Sequence, residues 1–215
     1  MALAFIVHAP LDLVTLERAF RSTMQKHVEA RSAFREVDGA LRVDTLPTSH
    51  FGLTGAPTRR LAPDEAIALA RQEAQRPFMS FEGPLVALRV FPQTDATTLI
   101  ALQVSHLVAD GVAVEMLVND LMLAYFAGGV ASPGSGERAF YEYIDWEEAF
   151  LASEQSAAQR AFWAKRQRGE YLRLPYDAPG DGDAILNGGV LRFDIGAVDV
   201  ETTVGIARRA GVTPF

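Results

Sequence analysis

Two apolar, β-forming runs separated by a short polar stretch restrict the fold of this chain more than any other feature. The runs are "LVALRVF" at residues 85–91 and "TTLIALQVSH" at residues 97–106, and "PQTDA" connects them. Short apolar runs rich in Val, Leu and Ile are typical of strands, and a connection of about five residues favours an antiparallel hairpin. The sequence therefore predicts a hairpin here and a fold that contains a β-sheet.

The residues before this hairpin predict further strands and helices. "ALAFIVH" (2–8) is typical of a buried strand, and an apolar stripe at helical spacing predicts a helix over residues 13–27. Asp38-Gly39 lies between two alternating runs and predicts a tight hairpin turn. Pro63, followed by two acidic residues, begins a helix that reaches about Gln75.

The residues after the hairpin predict mainly helices. Val114, Leu117, Leu121 and neighbouring apolar residues follow a helical stripe that ends at Gly128-Gly129. The remaining predictions are a linker at 129–139, helices at 140–151 and 154–167, a loop at 171–189, a strand at 190–195, and a helix at 198–210 capped by Gly211. The order β-α-β-β-α-β-β-α indicates the α/β class, with helices packed on a mixed β-sheet.

Composition excludes several classes of protein. The chain has 215 residues, of which 49% are hydrophobic and 22% charged, as in a globular protein. A net charge of −7 argues against binding to nucleic acid or to an anionic membrane surface. The apolar start is about eight residues long, too short to span a bilayer. The chain has no cysteine, which excludes disulfides and a thiolate nucleophile and fits a cytoplasmic location.

The segment "SHLVADG" (105–111) is the main candidate for chemistry. His106 lies where a strand gives way to an amphipathic helix, and an imidazole that titrates near neutrality can orient or deprotonate an amine or hydroxyl. The structural alternative is an Asp-Gly turn beside a partly buried histidine. We interpret His8, His27 and His50 as structural or surface residues, and no pair of histidines has metal-ligand spacing, so we expect no metal site.

The same segment resembles the HHxxxDG motif of the condensation domains of nonribosomal peptide synthetases, with Ser105 in place of the first histidine. The wider superfamily of chloramphenicol-acetyltransferase-like, CoA-dependent acyltransferases shares the shorter HxxxD(G) form. Other stretches resemble the family's motifs in the family's order: "KHVEARSAF" (26–34), "PFMSFEGPLVALRV" (77–90), "FYEYIDW" (140–146) and "RAFWAKRQRG" (160–169).

The resemblance implies a fold and a domain organisation. The family has two similar lobes with the active site in a tunnel between them, and this chain is similar to the N-terminal lobe. We therefore expect a chloramphenicol-acetyltransferase-like lobe over residues 1–175, and the crossover and truncated start of the C-terminal lobe over residues 176–215.

The resemblance also implies a reaction and roles for the motif residues. An amine or hydroxyl would attack a thioester carried by the phosphopantetheine of a peptidyl or acyl carrier protein, or by CoA. His106 would be catalytic, and Asp110 would be structural, paired in the family with an arginine of the second lobe. Gly111 would shape the turn and, with the helix start, favour the oxyanion, a role inferred from position alone. Ser105 would line the tunnel.

Two alternatives to this function stay open at the level of sequence. The chain could belong to a stand-alone or polyketide-associated CoA-dependent acyltransferase, or it could be a non-catalytic lobe that serves as a scaffold or interaction module. The partners expected are carrier protein domains and a second lobe. Because the family's second lobe is absent from these residues, we expect the isolated 215-residue chain to be inactive.

Overall fold

The structure is a computed structural model that describes residues 1–54, 59–78, 80–134, 136–167 and 193–214. Short 3₁₀ turns lie at Glu29–Arg31 and Thr48–His50. The longer elements, in chain order, are β1 (Ala2–Val7), α1 (Leu13–Lys26), β2 (Ser32–Val37), β3 (Ala40–Thr45), β4 (Leu53–Thr54), α2 (Pro63–Gln75), β5 (Val86–Thr94), β6 (Thr97–Val104), α3 (Gly111–Phe126), α4 (Gly136–Leu151), α5 (Glu154–Arg166) and α6 (Ala197–Ala210).

A four-stranded sheet with the order β1-β6-β5-β4 forms the centre of the fold. β6 is antiparallel to both β1 and β5, whereas β4 is parallel to β5, so the sheet is mixed, as predicted. The predicted β5–β6 hairpin is confirmed, but β5 extends through most of the expected loop and ends at Thr94. The register shifts between Pro92 and Thr94, which accommodates a proline that cannot donate to a ladder.

The second hairpin, β2–β3, forms a separate two-stranded sheet with the turn at the predicted Asp38-Gly39. Both turn residues have positive φ, 54° at Asp38 and 75° at Gly39. Turns of this kind match the right-handed twist of the two strands, and glycine adopts positive φ without steric cost.

Strand β6 is buried on both faces, which explains its nearly continuous apolar sequence. Ile100, Leu102 and Val104 pack into one cluster with residues of α1 and α3, whereas Leu99 and Ala101 pack with α2. Alternate residues of a strand point to opposite faces. The sheet therefore has α1 and α3 on one face and α2 on the other. α3 follows β6, one of the two inner strands, in the chain.

The helices of the second half differ from prediction at their boundaries. α4 begins at Gly136, although the sequence predicted a linker to residue 139. α6 ends at Ala210, and Gly211 forms the predicted cap, with a φ of 67° and an N–H that donates to Arg208 O. No described helix is long and apolar enough to cross a membrane.

The strand predicted at 190–195 is wrong for its described part. Residues 193–196 form neither helix nor strand, and residues 190–192 and the predicted loop at 171–189 lie outside the described residues. A strand needs a hydrogen-bonded neighbour, and none of the described strands pairs with residues 193–196. The chain divides into two compact units, Met1–Ala164 and Lys165–Phe215.

Candidate functional site

The candidate site is built on the loop of residues 105–110, which joins β6 to α3 and is called the His106 loop below. Its start is tied to the sheet, since the Ser105 N–H donates to Leu85 O at 2.9 Å. Within the loop, the Val108 N–H donates to Ser105 O at 3.1 Å and the Leu107 N–H to Ser105 Oγ at 3.3 Å. Ser105 therefore shapes the turn that carries His106.

His106 lies at the tip of this turn with an exposed side chain. Among the described residues, none forms a hydrogen bond or ion pair with its ring. The imidazole is therefore available to a molecule that approaches from outside this part of the chain. His8 and His50, by contrast, are exposed at positions away from the His106 loop, on the stretch after β1 and in the second 3₁₀ turn.

Asp110 ends the loop as the N-cap of α3. Its backbone is extended, with φ −103° and ψ −172°, and its Oδ1 accepts a hydrogen bond from the Ala113 N–H at 2.8 Å. The carboxylate thus satisfies one of the N–H groups that a helix start leaves without an intrahelical partner. None of the described residues forms an ion pair with Asp110.

Gly111 is the first residue of α3, and nothing nearby in the described residues requires a glycine there. A Cβ added at Gly111 would meet no atom within 4 Å, and its φ is not in the left-handed region. The space beside Gly111 is therefore open. Gly111 also lies at the N-terminus of α3, where a helix carries a partial positive charge. It follows His106 by five positions in the sequence.

A cluster of charged side chains behind the loop joins α1 to α3 and was not predicted as a unit. His27 Nε2 lies 2.7 Å from Asp120 Oδ2, and His27 Nδ1 lies 3.2 Å from Glu29 Oε1. Lys26 Nζ also contacts Asp120 Oδ2 at 2.8 Å. Both ring nitrogens of His27 are engaged, in agreement with its interpretation as a structural residue.

The charges of this cluster reinforce one another. The hydrogen bond with Glu29 is the main influence that raises the pKa of His27; burial opposes it, and Asp120 adds to it. The His27 hydrogen bond likewise lowers the pKa of Glu29. Burial pushes the pKa of Asp120 upward, but bonds from Lys26 and His27 outweigh it and the net pKa is lowered. The cluster therefore favours a protonated His27 between two carboxylates.

Sequence alone could not reveal the link between His27 and Asp120, because 93 positions separate them and no local pattern pairs them. The only signal was the short spacing of His27 and Glu29. Among the described residues, no group of three or more His, Cys, Asp or Glu side chains could hold a metal ion.

Comparison with known proteins gives a consistent result. The sequence model of a family described as "Condensation domain" matches residues 1–214. The chain is 29% identical over 214 residues to phosphinothricin tripeptide synthetase PhsB of Streptomyces viridochromogenes, covering 95% of this chain and 18% of that protein. It is 27% identical over 223 residues to malpinin synthetase of Mortierella alpina, covering 100% of this chain and 3% of that protein.

Solved structures share the fold. The SgcC5 protein of Streptomyces globisporus superposes with a TM-score of 0.74 and 22% identity, covering all of this chain and 50% of that one. A structure described as the molecular basis for condensation domain-mediated chain release from the enacyloxin polyketide synthase gives a TM-score of 0.70 and 19% identity, with 43% of that chain covered. The chain thus spans half or less of each of these relatives and structures.

Proposed function

The chain belongs to the condensation domain family, and we propose that it supplies one wall of an acyl-transfer site in a nonribosomal peptide synthetase. The observation that carries this proposal is the exposed His106 on a loop fixed by hydrogen bonds at both ends. A group that takes a proton from a substrate must be accessible and held in place. The similarity to PhsB and to malpinin synthetase supports the same class of enzyme.

The reaction proposed joins an acyl thioester to an amine or hydroxyl. The nucleophile's nitrogen or oxygen bonds to the thioester carbonyl carbon, and a tetrahedral intermediate forms. The carbon–sulfur bond then breaks, and the proton lost by the nucleophile ends on the thiol that leaves. His106 orients the nucleophile and accepts or relays that proton, since an imidazole can do so near neutral pH.

The start of α3 has a role that follows from its position. Negative charge develops on the carbonyl oxygen as the intermediate forms, and a helix N-terminus attracts negative charge. The open space beside Gly111 would let that oxygen approach the backbone closely. Asp110 would keep the first turn of α3 in place through its bond to the Ala113 N–H, and Ser105 would line the site beside His106.

The substrates are proposed to arrive on carrier proteins. The acyl group would be attached to the phosphopantetheine of a peptidyl or acyl carrier domain, or to CoA, and would reach His106 along the surface of this lobe. We also propose that a second lobe closes the site, because SgcC5, which shares this fold, is about twice as long as this chain. Reactants must be held near attack distance for efficient transfer.

The test is a substitution at His106 in the complete synthetase. We expect His106→Ala to lower kcat by roughly 10²-fold or more, the usual scale for loss of a positioned acid–base group. Product would be measured by mass spectrometry with a carrier-bound thioester as donor and an amine as acceptor. His8→Ala, which removes another exposed histidine, is the matched control and should leave kcat unchanged. Unchanged turnover in both variants would refute the role of His106.

A further inference from the structure

A cavity of about 620 Å³ is lined by residues of α2, of β5 and of β4, the strand at one edge of the four-stranded sheet. It lies within the first of the two units. The volume falls within the roughly 300–1,000 Å³ typical of small-molecule sites. None of the described lining residues belongs to the His106 loop. A ligand of this cavity would therefore be distinct from the reactants proposed above.

Most of the lining is apolar and is held in place by the core. The side chains of Phe51 and Phe91 are buried, and the Phe51 ring packs edge-to-face on Phe20 of α1 with the ring centroids 6.2 Å apart. The larger apolar lining residues are Phe51, Leu69, Phe78, Pro84, Val86 and Phe91. Three of them are aromatic. The cavity therefore suits a ligand with an apolar body, which such rings pack against.

Three charged side chains form an ion cluster in the lining of the cavity. Arg89 Nε donates to Glu73 Oε2 at 3.0 Å, and Arg76 Nη1 lies 3.0 Å from Glu73 Oε1. Arg89 Nη1 also donates to Thr54 Oγ1 at 3.1 Å. The side chains of Arg89 and Glu73 are only 15% and 19% exposed. The guanidinium group of Arg89 is therefore fixed in a largely buried position between α2 and β4.

The charges of this cluster do not cancel. Two guanidinium groups contact one carboxylate, so the cluster has a net charge of +1, whereas the whole chain has −7. His50, which also lines the cavity, would add positive charge when protonated. The contacts with described residues use Nε and Nη1 of Arg89 and Nη1 of Arg76. An arginine has five N–H donors, so donors of both groups remain for an anionic ligand.

We propose that this cavity binds a small carboxylate with an apolar body. The carboxylate group of the ligand pairs with Arg89 and Arg76, and its apolar part packs against the phenylalanine rings. Guanidinium groups bind carboxylates strongly because two parallel N–H donors match the two oxygens. A monoanion neutralises the charge of +1, whereas a dianionic phosphate would leave an excess negative charge. The inference is independent of the proposed function, because it uses no residue of the His106 loop.

The test is titration calorimetry of the 215-residue chain with phenylbutyrate, phenylbutanol and phenylbutylamine, which share one apolar body and differ in the charge of the end group. Hydrogen bonds between charged groups are roughly twice as strong as neutral ones. We expect phenylbutyrate to bind at least tenfold more tightly than phenylbutanol, and the amine to bind most weakly. Acetate, which lacks the body, should bind at least tenfold more weakly than phenylbutyrate. Equal affinities for the carboxylate and the alcohol, tighter binding of the amine, or equal binding of acetate would overturn the proposal.

Matched substitutions test the role of the arginines. Arg89→Gln leaves Glu73 and Arg76 as a neutral pair, so it should weaken phenylbutyrate binding at least tenfold and leave phenylbutanol binding unchanged. Arg71→Gln removes the same charge from an exposed position of α2 outside the cavity and should change neither affinity. If Arg89→Gln fails to fold by circular dichroism, Arg76→Gln provides the test, with a loss of about threefold because the Arg76 side chain is 62% exposed. An unchanged affinity for phenylbutyrate in the folded variant would overturn the proposal.

Two further variants locate the ligand. Ala87→Phe enlarges a half-buried side chain of the lining and should weaken the binding of both phenylbutyrate and phenylbutanol. Ala68→Phe, at an exposed position of α2 outside the cavity, is the matched control and should leave both affinities unchanged. His106→Ala should also leave them unchanged. Normal binding by a folded Ala87→Phe variant, or loss of binding in His106→Ala, would place the ligand outside this cavity and overturn the proposal.

Discussion

At the scale of single residues, Asp110 combines two properties that can be separated by substitution. Its carboxylate oxygen caps α3 through the Ala113 N–H, and its charge is available to a partner outside the described residues. Asparagine is about as good an N-cap as aspartate, whereas alanine is a poor one. The two replacements therefore distinguish the cap from the charge.

We expect Asp110→Ala to lower the free energy of unfolding of the 215-residue chain by about 1 kcal/mol, the typical value of an N-cap. Asp110→Asn should change the free energy of unfolding by no more than a few tenths of a kcal/mol, because asparagine caps a helix about as well as aspartate. Urea denaturation followed by circular dichroism measures both. Equal destabilisation by the two variants would indicate that the charge of Asp110, rather than its role as N-cap, stabilises the chain.

Ser105 illustrates what the sequence could predict about the site and what it could not. The motif located the loop at the end of a strand, because strand and helix patterns meet there. The turn that Ser105 makes with Leu107 and Val108 is a matter of backbone geometry, which residue types alone do not specify. The sequence therefore identified the loop, but not how it is held.

At the scale of elements, α1 and α3 are joined by the ion cluster of His27, Glu29, Lys26 and Asp120. The pKa of His27 is raised, so its contribution to stability is complete below its unfolded pKa of about 6.5 and is lost as the pH rises through the raised value. The pKa values of Glu29 and Asp120 are lowered, so their contributions are present above about pH 4.5 and are lost as the pH falls. The cluster stabilises most between these limits.

We therefore predict that His27→Gln lowers the Tm more at pH 5.5 than at pH 8.5. Thermal unfolding of the 215-residue chain at the two pH values measures the difference. His8→Gln replaces an exposed histidine outside the cluster and serves as the control, with the same small effect at both pH values. A larger effect of His27→Gln at pH 8.5 would mean that the neutral imidazole is the stabilising form.

The elements that the sequence predicted well are those with strong local signals. Asp38-Gly39 specified a turn with positive φ, and the apolar run of β6 specified a buried strand. The errors arise where tertiary contacts, rather than local sequence, determine where an element begins and ends. β5 runs through Pro92 because that proline still pairs with Thr98 and its carbonyl accepts the Leu61 N–H at 2.9 Å. β4 has only two residues, too few to produce a periodic pattern.

The early start of α4 has a different cause. Residues 129–139 contain glycine, serine and proline, which favour a loop, but Glu137, Arg138 and Ala139 are good helix formers. A short run of helix formers next to a helix extends it once the helix has nucleated. Composition averaged over the linker hid this local preference.

At the scale of the whole molecule, α3 shows that the described residues leave apolar surface uncovered. Leu117 and Leu121 are buried against the sheet, whereas Val112, Met116 and Leu123 on the same helix are more than half exposed. A helix that is apolar on all sides is usually covered on all sides. The arrangement fits the proposal that a second lobe completes the site.

We predict that the 215-residue chain has no multiple turnover with acyl-CoA or carrier-bound thioesters, because substrate positioning needs both walls of the site. Its exposed apolar residues should also favour self-association, which light scattering would record as a mass above that of one chain. Robust turnover by a monomer would show that one lobe suffices and that the proposed architecture is wrong.

The bonds that hold the His106 loop join residues that are close together in the chain, or, for Ser105 and Leu85, residues next to the paired ends of β6 and β5. Ser105 bonds within its own turn, and Asp110 bonds to a residue three positions away. The shape of the loop is therefore determined by residues of the first unit, Met1–Ala164. Under the proposed function, recombination between synthetase genes that joins these residues to a different second half would transfer the geometry around His106 intact, so any resulting change in substrate choice would come from the new half.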